Sequence, residues 1–306
     1  MRTILVTGSN GLLGQKLIYA LSANPDLNCI ATGLGPNRMA MKEGYTYRSL
    51  DVRESDQLVA LIDEFAPESI INTAALTNVD ACEKLRDEAV ALNVTAVASL
   101  AAICRARNIH LVHLSTDFVF NGKTGPYVET DQPDPISHYA VTKYQGELAL
   151  MESGCSWTIL RTIIIYGVVD DNSRSNVVLW TINNLRDGKS IRVISDQYRS
   201  PTLAEDLADA CIQAAVRKAT GIYHVSGRET MCILDMARIV ADFFKLDQSL
   251  INPVSSAELA QPASRPPVTG FIIRKAERDL DFRPVSFLQG LSTIKNQLLR
   301  NGFLQN

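Results

Sequence analysis

The stretch VTGSNGLLG, residues 6–14, constrains the fold of this chain more than any other feature. It ends the β-branched run RTILVTG, which predicts a strand, and it opens a helical pattern over residues 11–23. The glycine spacing suits a tight turn, a backbone that approaches a pyrophosphate and a helix packed closely on its strand. A helix N-terminus also attracts anions through its free N–H groups. We therefore predict a dinucleotide site contacted by Gly8, Asn10, Gly11, Leu12, Leu13 and Gly14.

Short β-branched runs alternate with helical stretches through the first half of the chain. Strands are predicted over residues 3–8, 28–33, 45–52, 69–75, 110–116 and 156–162. Helices are predicted over residues 11–23, 55–65 and 85–107 and around residues 138–147. This alternation predicts an α/β fold, a doubly wound parallel (Rossmann) sheet with ligands at the carboxyl ends of its strands.

Beyond about residue 165 the alternation loosens. A polar loop is predicted over residues 167–175, helices over 175–187 and 204–217, a short strand over 190–194, and a strand at 221–225 that returns to the main sheet. The proline-rich stretch 253–270 argues against a long regular element there. We expect a cofactor-binding Rossmann domain at residues 1–165, with returning elements near 196–226, and a smaller irregular lobe, mainly substrate-binding, at 166–306.

Composition narrows the classes of partner. The 306 residues carry a formal net charge of -3 and no long basic run, which argues against nucleic acid or a membrane surface as partner. The chain enters a strand at once and its longest apolar run is too short to span a bilayer, which predicts a cytoplasmic protein. Six scattered cysteines without a histidine cluster predict reduced thiols and no metal site.

The end of the second predicted strand indicates which nicotinamide cofactor binds. NAD sites usually place an acid here to bind the ribose 2′-hydroxyl, whereas this chain reads ATGLGPNRM, with Arg38 and no acid. A carboxylate would repel a 2′-phosphate and a guanidinium would pair with it. We predict NADP(H), with Arg38 contacting the 2′-phosphate.

Residues 138–147, HYAVTKYQGE, place Tyr139 and Lys143 four apart on one helical face, so that both side chains address the same point. A Y-x-x-x-K match alone is weak. It gains weight in a chain that also carries a nucleotide site.

Taken together, the motifs resemble those of the extended short-chain dehydrogenase/reductases. They are TGSNGLLG, LDV at 50–52, NTAA at 72–75, LNV at 92–94, STDFVF at 115–120 and YAVTK at 139–143. Within that family the chain is most similar to the dTDP-4-dehydrorhamnose reductases. This further resemblance rests on AALTNVDACE (74–83), PYVETDQPDP (126–135), DQYRSPT (196–202) and SRP (264–266).

The resemblance implies an NADPH-dependent reductase of a nucleotide-linked 4-keto deoxysugar, with dTDP-4-dehydro-L-rhamnose reduced to dTDP-L-rhamnose as the expected reaction. Tyr139 is the expected proton donor. Lys143 is expected to hold the nicotinamide ribose and to lower the pKa of Tyr139 by its charge. Ser115 or Thr116 would polarise the substrate carbonyl.

The resemblance also implies further contacts. Asp51 and Val52 are expected to flank the adenine, and Ala74 and Ala75 to line the cofactor channel. Asn93 is expected either to contact the cofactor or to support the active-site backbone. The expected substrate contacts are Thr77, Val79, Thr116 and Asp117.

Two departures from the reductase pattern leave the exact sugar open: Ile164 replaces a Trp that lies near the sugar, and Ala140 replaces a Gly. TGSNGLLG and RTIIIYG also resemble the regulatory β subunit of methionine adenosyltransferase, so a non-catalytic NADP-binding regulatory subunit remains open. A nucleotide-sugar epimerase or dehydratase is a third possibility, because Asp117 follows Thr116 where dehydratases usually carry an acid. A homodimer is also left open.

Overall fold

A computed structural model describes residues 1–171 and 175–303 of the protein. Residues 172–174 of the predicted polar loop and residues 304–306 of the predicted lobe lie outside the described residues. The strands are β1 (Arg2–Thr7), β2 (Leu27–Gly33), β3 (Thr46–Ser49), β4 (Ser69–Asn72), β5 (His110–Thr116), β6 (Ser156–Thr162), β7 (Ile165–Tyr166), β8 (Ile191–Ile194), β9 (Tyr198–Arg199), β10 (Thr202–Leu203), β11 (Gly221–Val225), β12 (Met231–Cys232) and β13 (Ile251–Val254).

The helices alternate with these strands in the first half of the chain and dominate the second. They are α1 (Leu12–Ser22), α2 (Ser55–Phe65), α3 (Val79–Lys84), α4 (Arg86–Val90), α5 (Ala96–Arg107), α6 (His138–Glu152), α7 (Val177–Arg186), α8 (Ala204–Arg217), α9 (Ile233–Phe243), α10 (Ser256–Leu259), α11 (Arg274–Asp279) and α12 (Phe287–Arg300).

Seven parallel strands form the central sheet, in the order β11-β6-β5-β4-β1-β2-β3. The chain proceeds outward from β1 to β3 on one side and from β4 to β11 on the other. The order therefore reverses between β1 and β4, which is where a doubly wound sheet opens a crevice for ligands. The predicted doubly wound Rossmann fold is confirmed.

Helices cover both faces of the sheet. On one face α1 and α8 pack over Ile4, Cys29, Ile71 and Val112. On the other, α2, α5 and α6 pack over a second apolar layer that includes Leu5, Ile70, Leu111 and Ile159. Side chains alternate between the two faces along each strand, so each inner strand contributes to both layers.

The long helix predicted at residues 85–107 is interrupted in the structure. It begins as α4, passes through one π-helical turn at Ala91–Thr95 and continues as α5. A π turn widens the helix by one residue and is often found at functional sites. Here the turn contains Asn93, and the Asn93 carbonyl lies where a Cβ at Gly146 of α6 would overlap it. The local widening therefore fits α6 closely against this helix.

The stretch Arg86–Arg107 is also the one helix among the described residues that is long and apolar enough to cross a bilayer, with a mean hydropathy of 1.7. Its residues Val97, Leu100 and Cys104 lie in the apolar layer beneath the sheet. A helix buried in the core of a folded domain meets the same criteria of length and composition.

The second half of the chain builds a smaller set of layers beside the carboxyl ends of the strands. Three two-stranded pairings, β7 with β10, β9 with β12 and β8 with β13, frame helices α7, α9 and α12. Two elements leave this region and complete the main sheet: α8 covers one face of it, and β11 extends its edge beside β6.

Candidate active site

The glycine-rich turn after β1 is closely packed. Gly8 has a φ of +70°, and a Cβ there would lie 2.7 Å from the Thr73 hydroxyl oxygen and 2.8 Å from the Ala74 nitrogen. A Cβ on Gly14 would overlap the Gly8 carbonyl. Larger residues would therefore push α1 away from the sheet, as the spacing predicts.

The N-terminus of α1 has the chemistry of an anion site. Its N-cap is Gly11, no side chain caps it, and its first turn contains no acid. The Ser9 hydroxyl is buried beside it without a hydrogen-bond partner among the described residues. Leu13 packs into the apolar core, so its contribution to a ligand would come from its backbone N–H. These features fit the diphosphate of a dinucleotide.

Asn10 holds the loop that follows β2. Its amide nitrogen donates to the Pro36 and Leu34 carbonyls at 3.0 and 3.2 Å, and its oxygen accepts from the Arg38 N–H at 3.0 Å. The Arg38 side chain is exposed, and no carboxylate pairs with it in the described part of the chain. A positive, unpaired side chain at the end of β2 fits a 2′-phosphate.

Asp51 and Val52 follow the third strand at the same end of the sheet. Asp51 is bound by its neighbour Arg53, whose Nε lies 3.0 Å from both carboxylate oxygens. This hydrogen bond holds the pKa of Asp51 below its usual value. Val52 is buried. The carboxylate of Asp51 is therefore already engaged within its own loop.

Asn93 connects the loop after β4 to α6. Its oxygen accepts from the Leu76 N–H at 2.9 Å, and its nitrogen donates to the Leu76 carbonyl and the Thr142 hydroxyl, both at 3.1 Å. Of the two expected roles, the contacts match backbone support. Ala74 is held from the same strand end, because its N–H donates to the Asn72 side chain at 3.2 Å.

Tyr139 lies in the first turn of α6 and is only 8% exposed. Its ring meets Phe118 edge to face, with centroids 6.0 Å apart. Burial raises the pKa of Tyr139 well above its ordinary value, and a hydrogen bond with the Thr116 side chain opposes that shift. The phenol is therefore protonated at neutral pH and faces the hydroxyl at the end of β5.

The structure departs from the expectation that Lys143 lowers the pKa of Tyr139. Lys143 is not among the groups that shift the pKa of that phenol. Its Nζ instead donates to the Leu114 carbonyl at 2.7 Å and lies 3.4 Å from Nε2 of His113. Burial, opposed by Glu147, lowers the pKa of Lys143 to about 8. The physical reason is desolvation, which disfavours the charged form of both side chains.

Thr116 and Ser115, the two candidate carbonyl ligands, differ in their surroundings. Thr116 interacts with Tyr139, and its hydroxyl also lies 3.1 Å from an Asp117 oxygen and accepts from the Phe118 N–H at 3.2 Å. Ser115 pairs in register with Arg161, and its buried hydroxyl has no hydrogen-bond partner among the described residues. The geometry brings Thr116, and not Ser115, to the tyrosine.

Asp117 is engaged by the second half of the chain. It is buried, accepts a short hydrogen bond from Thr269, and lies 3.7 Å from the Arg199 guanidinium. Burial raises the pKa of Asp117, and Arg199 opposes that shift. Arg199 in turn donates to the Tyr198 and Pro266 carbonyls at 2.7 and 2.6 Å. Asp117 therefore ties β5 to the 266–269 segment.

Thr77 and Val79 lie at the start of α3. Thr77 is exposed and Val79 is half-buried. A bidentate ion pair between Asp80 and Arg265, at 3.0 and 2.8 Å, joins α3 to the same proline-rich segment. Two ion pairs thus hold residues 265–269 beside the catalytic candidates.

Comparison with known proteins identifies the family. The family described as RmlD substrate binding domain matches residues 1–300. The chain belongs to this family. The predicted resemblance to the dTDP-4-dehydrorhamnose reductases is confirmed. The assignment of the chain as an oxidoreductase of that family is supported by the same comparisons.

Three relatives illustrate the range of the family. A dTDP-4-dehydrorhamnose reductase from Bacillus anthracis, solved in complex with NADP, is 28% identical, covers 97% of this chain and 100% of its own, and superposes with a TM-score of 0.84. The probable low-salt glycan biosynthesis reductase Agl14 of Haloferax volcanii is 31% identical over 85% of this chain and 86% of its own. The β subunit of methionine adenosyltransferase 2 from Bos taurus is 32% identical over 87% and 78%.

Ile164, one of the two predicted departures from the reductase pattern, has a φ of +30°. A β-branched residue in this region is strained. Ile164 is half-buried and packs against the apolar layer under α1 and also against the core of the second half. The departure therefore lies at the junction between the sheet and the smaller lobe.

Sequence reasoning missed three groups around the site: His113, Arg199 and Thr269. Arg199 and Thr269 lie 82 and 152 residues from Asp117 along the chain, and no local pattern indicates such pairings. The sequence could have indicated His113, because a histidine in the middle of the apolar run HLVHLST is expected to be buried and then needs a hydrogen-bond partner.

Proposed function

We propose that the protein is an NADPH-dependent reductase of a nucleotide-linked 4-keto deoxysugar, with dTDP-4-dehydro-L-rhamnose reduced to dTDP-L-rhamnose. The observation that carries the proposal is the meeting of Tyr139 with Thr116 at the carboxyl end of β5. This strand lies beside β4, next to the point where the strand order reverses. Catalytic groups of doubly wound folds gather at that position.

The protonation state of Tyr139 fits reduction. When bound, NADPH supplies the hydride that reduces the keto carbon. Tyr139 donates its phenolic proton to the keto oxygen, which becomes the new hydroxyl group. A phenol whose pKa is raised by burial is fully protonated at neutral pH, so it starts the reaction as an acid. Thr116 hydrogen-bonds the same oxygen and favours the charge that develops on it.

Arg38 supports NADPH over NADH. Its guanidinium is exposed at the end of β2, where NAD-binding folds usually carry an acid. The similar reductase from Bacillus anthracis was solved with NADP. Lys143, in this proposal, binds the nicotinamide ribose.

The proposal assigns cofactor binding and sugar binding to different parts of the chain. Residues 1–165, with returning elements near 196–226, bind the cofactor, and residues 166–306 mainly bind the nucleotide sugar. The position of α8 and β11 on the main sheet supports the returning elements. A cytoplasmic location and a possible homodimer remain predictions.

A regulatory subunit is the second candidate. It is supported by the 32% identity to the β subunit of methionine adenosyltransferase 2 and by the burial of Tyr139. It predicts cofactor binding without turnover, a stable complex with a larger enzyme, and no effect of Tyr139→Phe. An epimerase or dehydratase is less well supported, because Asp117, the candidate acid, is already bonded to Arg199 and Thr269.

One assay separates these candidates. Purified protein is mixed with NADPH and one nucleotide sugar at a time, chosen from dTDP- and GDP-linked 4-keto sugars. NADPH absorbance and sugar products are followed in each mixture. The proposal predicts stoichiometric oxidation of NADPH with formation of dTDP-L-rhamnose. Product formation without net oxidation would support an epimerase or dehydratase. Cofactor binding without any product, together with a stoichiometric protein partner in a pull-down, would support the regulatory subunit and overturn the proposal.

A further inference from the structure

A row of polar side chains crosses the sheet beneath α6. The row consists of Thr7, Asn72 and His113, which are neighbours on the adjacent strands β1, β4 and β5. Each lies two residues after an apolar residue of the layer on this face, namely Leu5, Ile70 and Leu111. Thr7, Asn72 and His113 are all less than 5% exposed. Buried polar groups are costly unless they are paired, so their partners define what this row does.

The hydrogen bonds of the row fix the orientation of the Asn72 amide. The Ala74 backbone N–H donates to Oδ1 of Asn72 at 3.2 Å, and the Thr7 hydroxyl donates to the same atom at 2.6 Å. A backbone N–H can only donate, so the atom that it meets must be the amide oxygen. The other amide atom is then Nδ2, which can only donate, and it lies 3.1 Å from Nδ1 of His113.

The Asn72 donor determines the tautomer of His113. Burial, with Lys143 adding to it, lowers the pKa of His113 well below its ordinary value, so the ring is neutral. A neutral imidazole has one donor and one acceptor nitrogen. Because Nδ1 accepts from Asn72, the proton resides on Nε2. That N–H group lies 3.4 Å from Nζ of Lys143.

The Nε2–H group of His113, which faces Nζ, favours the neutral amine of Lys143. A neutral amine accepts from the imidazole N–H through its lone pair and still donates to the Leu114 carbonyl, 2.7 Å away. An ammonium has no lone pair and would place two donors face to face.

Other charged groups near Lys143 are already paired or distant. Glu147, one turn along α6, makes two hydrogen bonds with Arg161 of β6, at 2.9 and 2.6 Å. This pairing satisfies the nearest carboxylate. Asp117 and Cys82 of α3 lie nearer the start of α6. They raise the pKa of Tyr139 and do not shift the pKa of Lys143.

We propose that His113 is a positioning residue for Lys143: Asn72 holds the imidazole as the Nε2–H tautomer, and this N–H group orients the lysine and favours its neutral amine. The inference rests on the proposed function, in which Lys143 belongs to the catalytic group. The charge of Lys143 then varies with pH around its pKa of about 8, instead of being permanent.

The test reads the two side chains directly by NMR and requires neither sugar nor turnover. Imidazole 15N shifts of the full-length protein report which ring nitrogen carries the proton, and the 13Cε shift of labelled Lys143, assigned with Lys143→Met, reports its titration. The proposal predicts protonated Nε2 and unprotonated Nδ1 for His113. In His113→Gln the amide oxygen can face Nζ and accept from the ammonium. The Lys143 titration midpoint should then rise by about half to one pH unit, as expected for one hydrogen bond.

His110→Gln is the matched control. His110 is on the same strand and equally buried, but it bonds Ser156 and Thr158 at the other end. It should leave the Lys143 midpoint unchanged. A proton on Nδ1 of His113 in the unmutated protein overturns the proposal, and so does an equal midpoint in His113→Gln and the parent. Either outcome leaves the reductase proposal standing, since that is judged by NADPH oxidation alone.

Discussion

The proposed cofactor half of the site and the proposed catalytic half are built in different ways. The cofactor half, the glycine turn with the Arg38 loop, draws on residues within one βαβ unit and leaves its helix end uncapped and Arg38 unpaired among the described residues. The catalytic half, Thr116, Asp117, Tyr139 and Lys143, is buried, and its polar groups are already bonded to one another or to distant segments. Open, unpaired groups await a charged ligand. Burial shifts the pKa values of Tyr139 and Lys143 away from their ordinary values.

The sharpest test of this contrast is Tyr139→Phe. The change removes the proton donor and leaves the cofactor half intact, so turnover should fall by about 10²–10⁴-fold while NADPH affinity stays the same. Steady-state kinetics and fluorescence titration measure the two quantities. Tyr144→Phe, on the same helix, is the control and should retain activity. Equal turnover in Tyr139→Phe and the parent would remove Tyr139 from the mechanism.

The next largest effect is expected at the ion pair that ties the catalytic half to the second half of the chain. Arg199→Met leaves the Asp117 carboxylate buried without its partner, which should lower the free energy of unfolding by about 3–5 kcal/mol. Adding Asp117→Asn should recover part of that loss. Denaturant unfolding measures both, with exposed Arg192→Met as control. A loss no greater than that of the control would show that the pair does not hold the two halves together.

Lys143 should destabilise the fold at neutral pH. Its pKa is about 8 in the folded protein, whereas the ordinary value for a lysine, taken here for the unfolded chain, is 10.5. The unfolded chain therefore binds more protons between these values, and stability rises with pH across that window. At 1.36 kcal/mol per pH unit, Lys143→Met should raise the free energy of unfolding at pH 7 by up to about 3 kcal/mol.

The gain from Lys143→Met should shrink as the pH approaches 10, because the folded lysine is then neutral and the lysine of the unfolded chain is beginning to lose its proton. Exposed Lys189→Met should show neither the gain nor its pH dependence. A gain that is the same at pH 7 and pH 10 would exclude desolvation of a charged lysine as its cause.

The smallest effect is expected in the cofactor half. Arg38→Ala should weaken NADPH binding by about 1.5–3 kcal/mol, the range of a charge-assisted hydrogen bond, and should leave NADH binding nearly unchanged. Isothermal titration with both cofactors measures the difference. Arg48→Ala, another exposed arginine of the same region, which pairs with Glu64, is the control. Equal affinities of the parent for NADPH and NADH would contradict the assignment of Arg38.

The contrast also explains what the sequence could predict. The glycine turn, the doubly wound sheet and the Tyr139–Lys143 spacing are local patterns, and the fold prediction is confirmed. The π turn at Asn93 was not predicted, because no local pattern marks it, and the residue that its carbonyl approaches, Gly146, lies on another helix. The Asp117–Arg199 pair and the His113–Lys143 contact join different strands and helices, and the raised pKa of Tyr139 follows from burial that only the folded chain creates.

In the proposed reaction, this chain reduces a sugar ketone with a hydride from NADPH and a proton from Tyr139. The most direct measurement is transfer of deuterium from NADPH labelled at the reactive carbon to dTDP-4-dehydro-L-rhamnose, followed by mass spectrometry of the sugar. The account predicts one carbon-bound deuterium in dTDP-L-rhamnose made by the parent protein, and almost none with Tyr139→Phe over the same time. A reduced sugar without deuterium, or equal labelling by the two proteins, would contradict it.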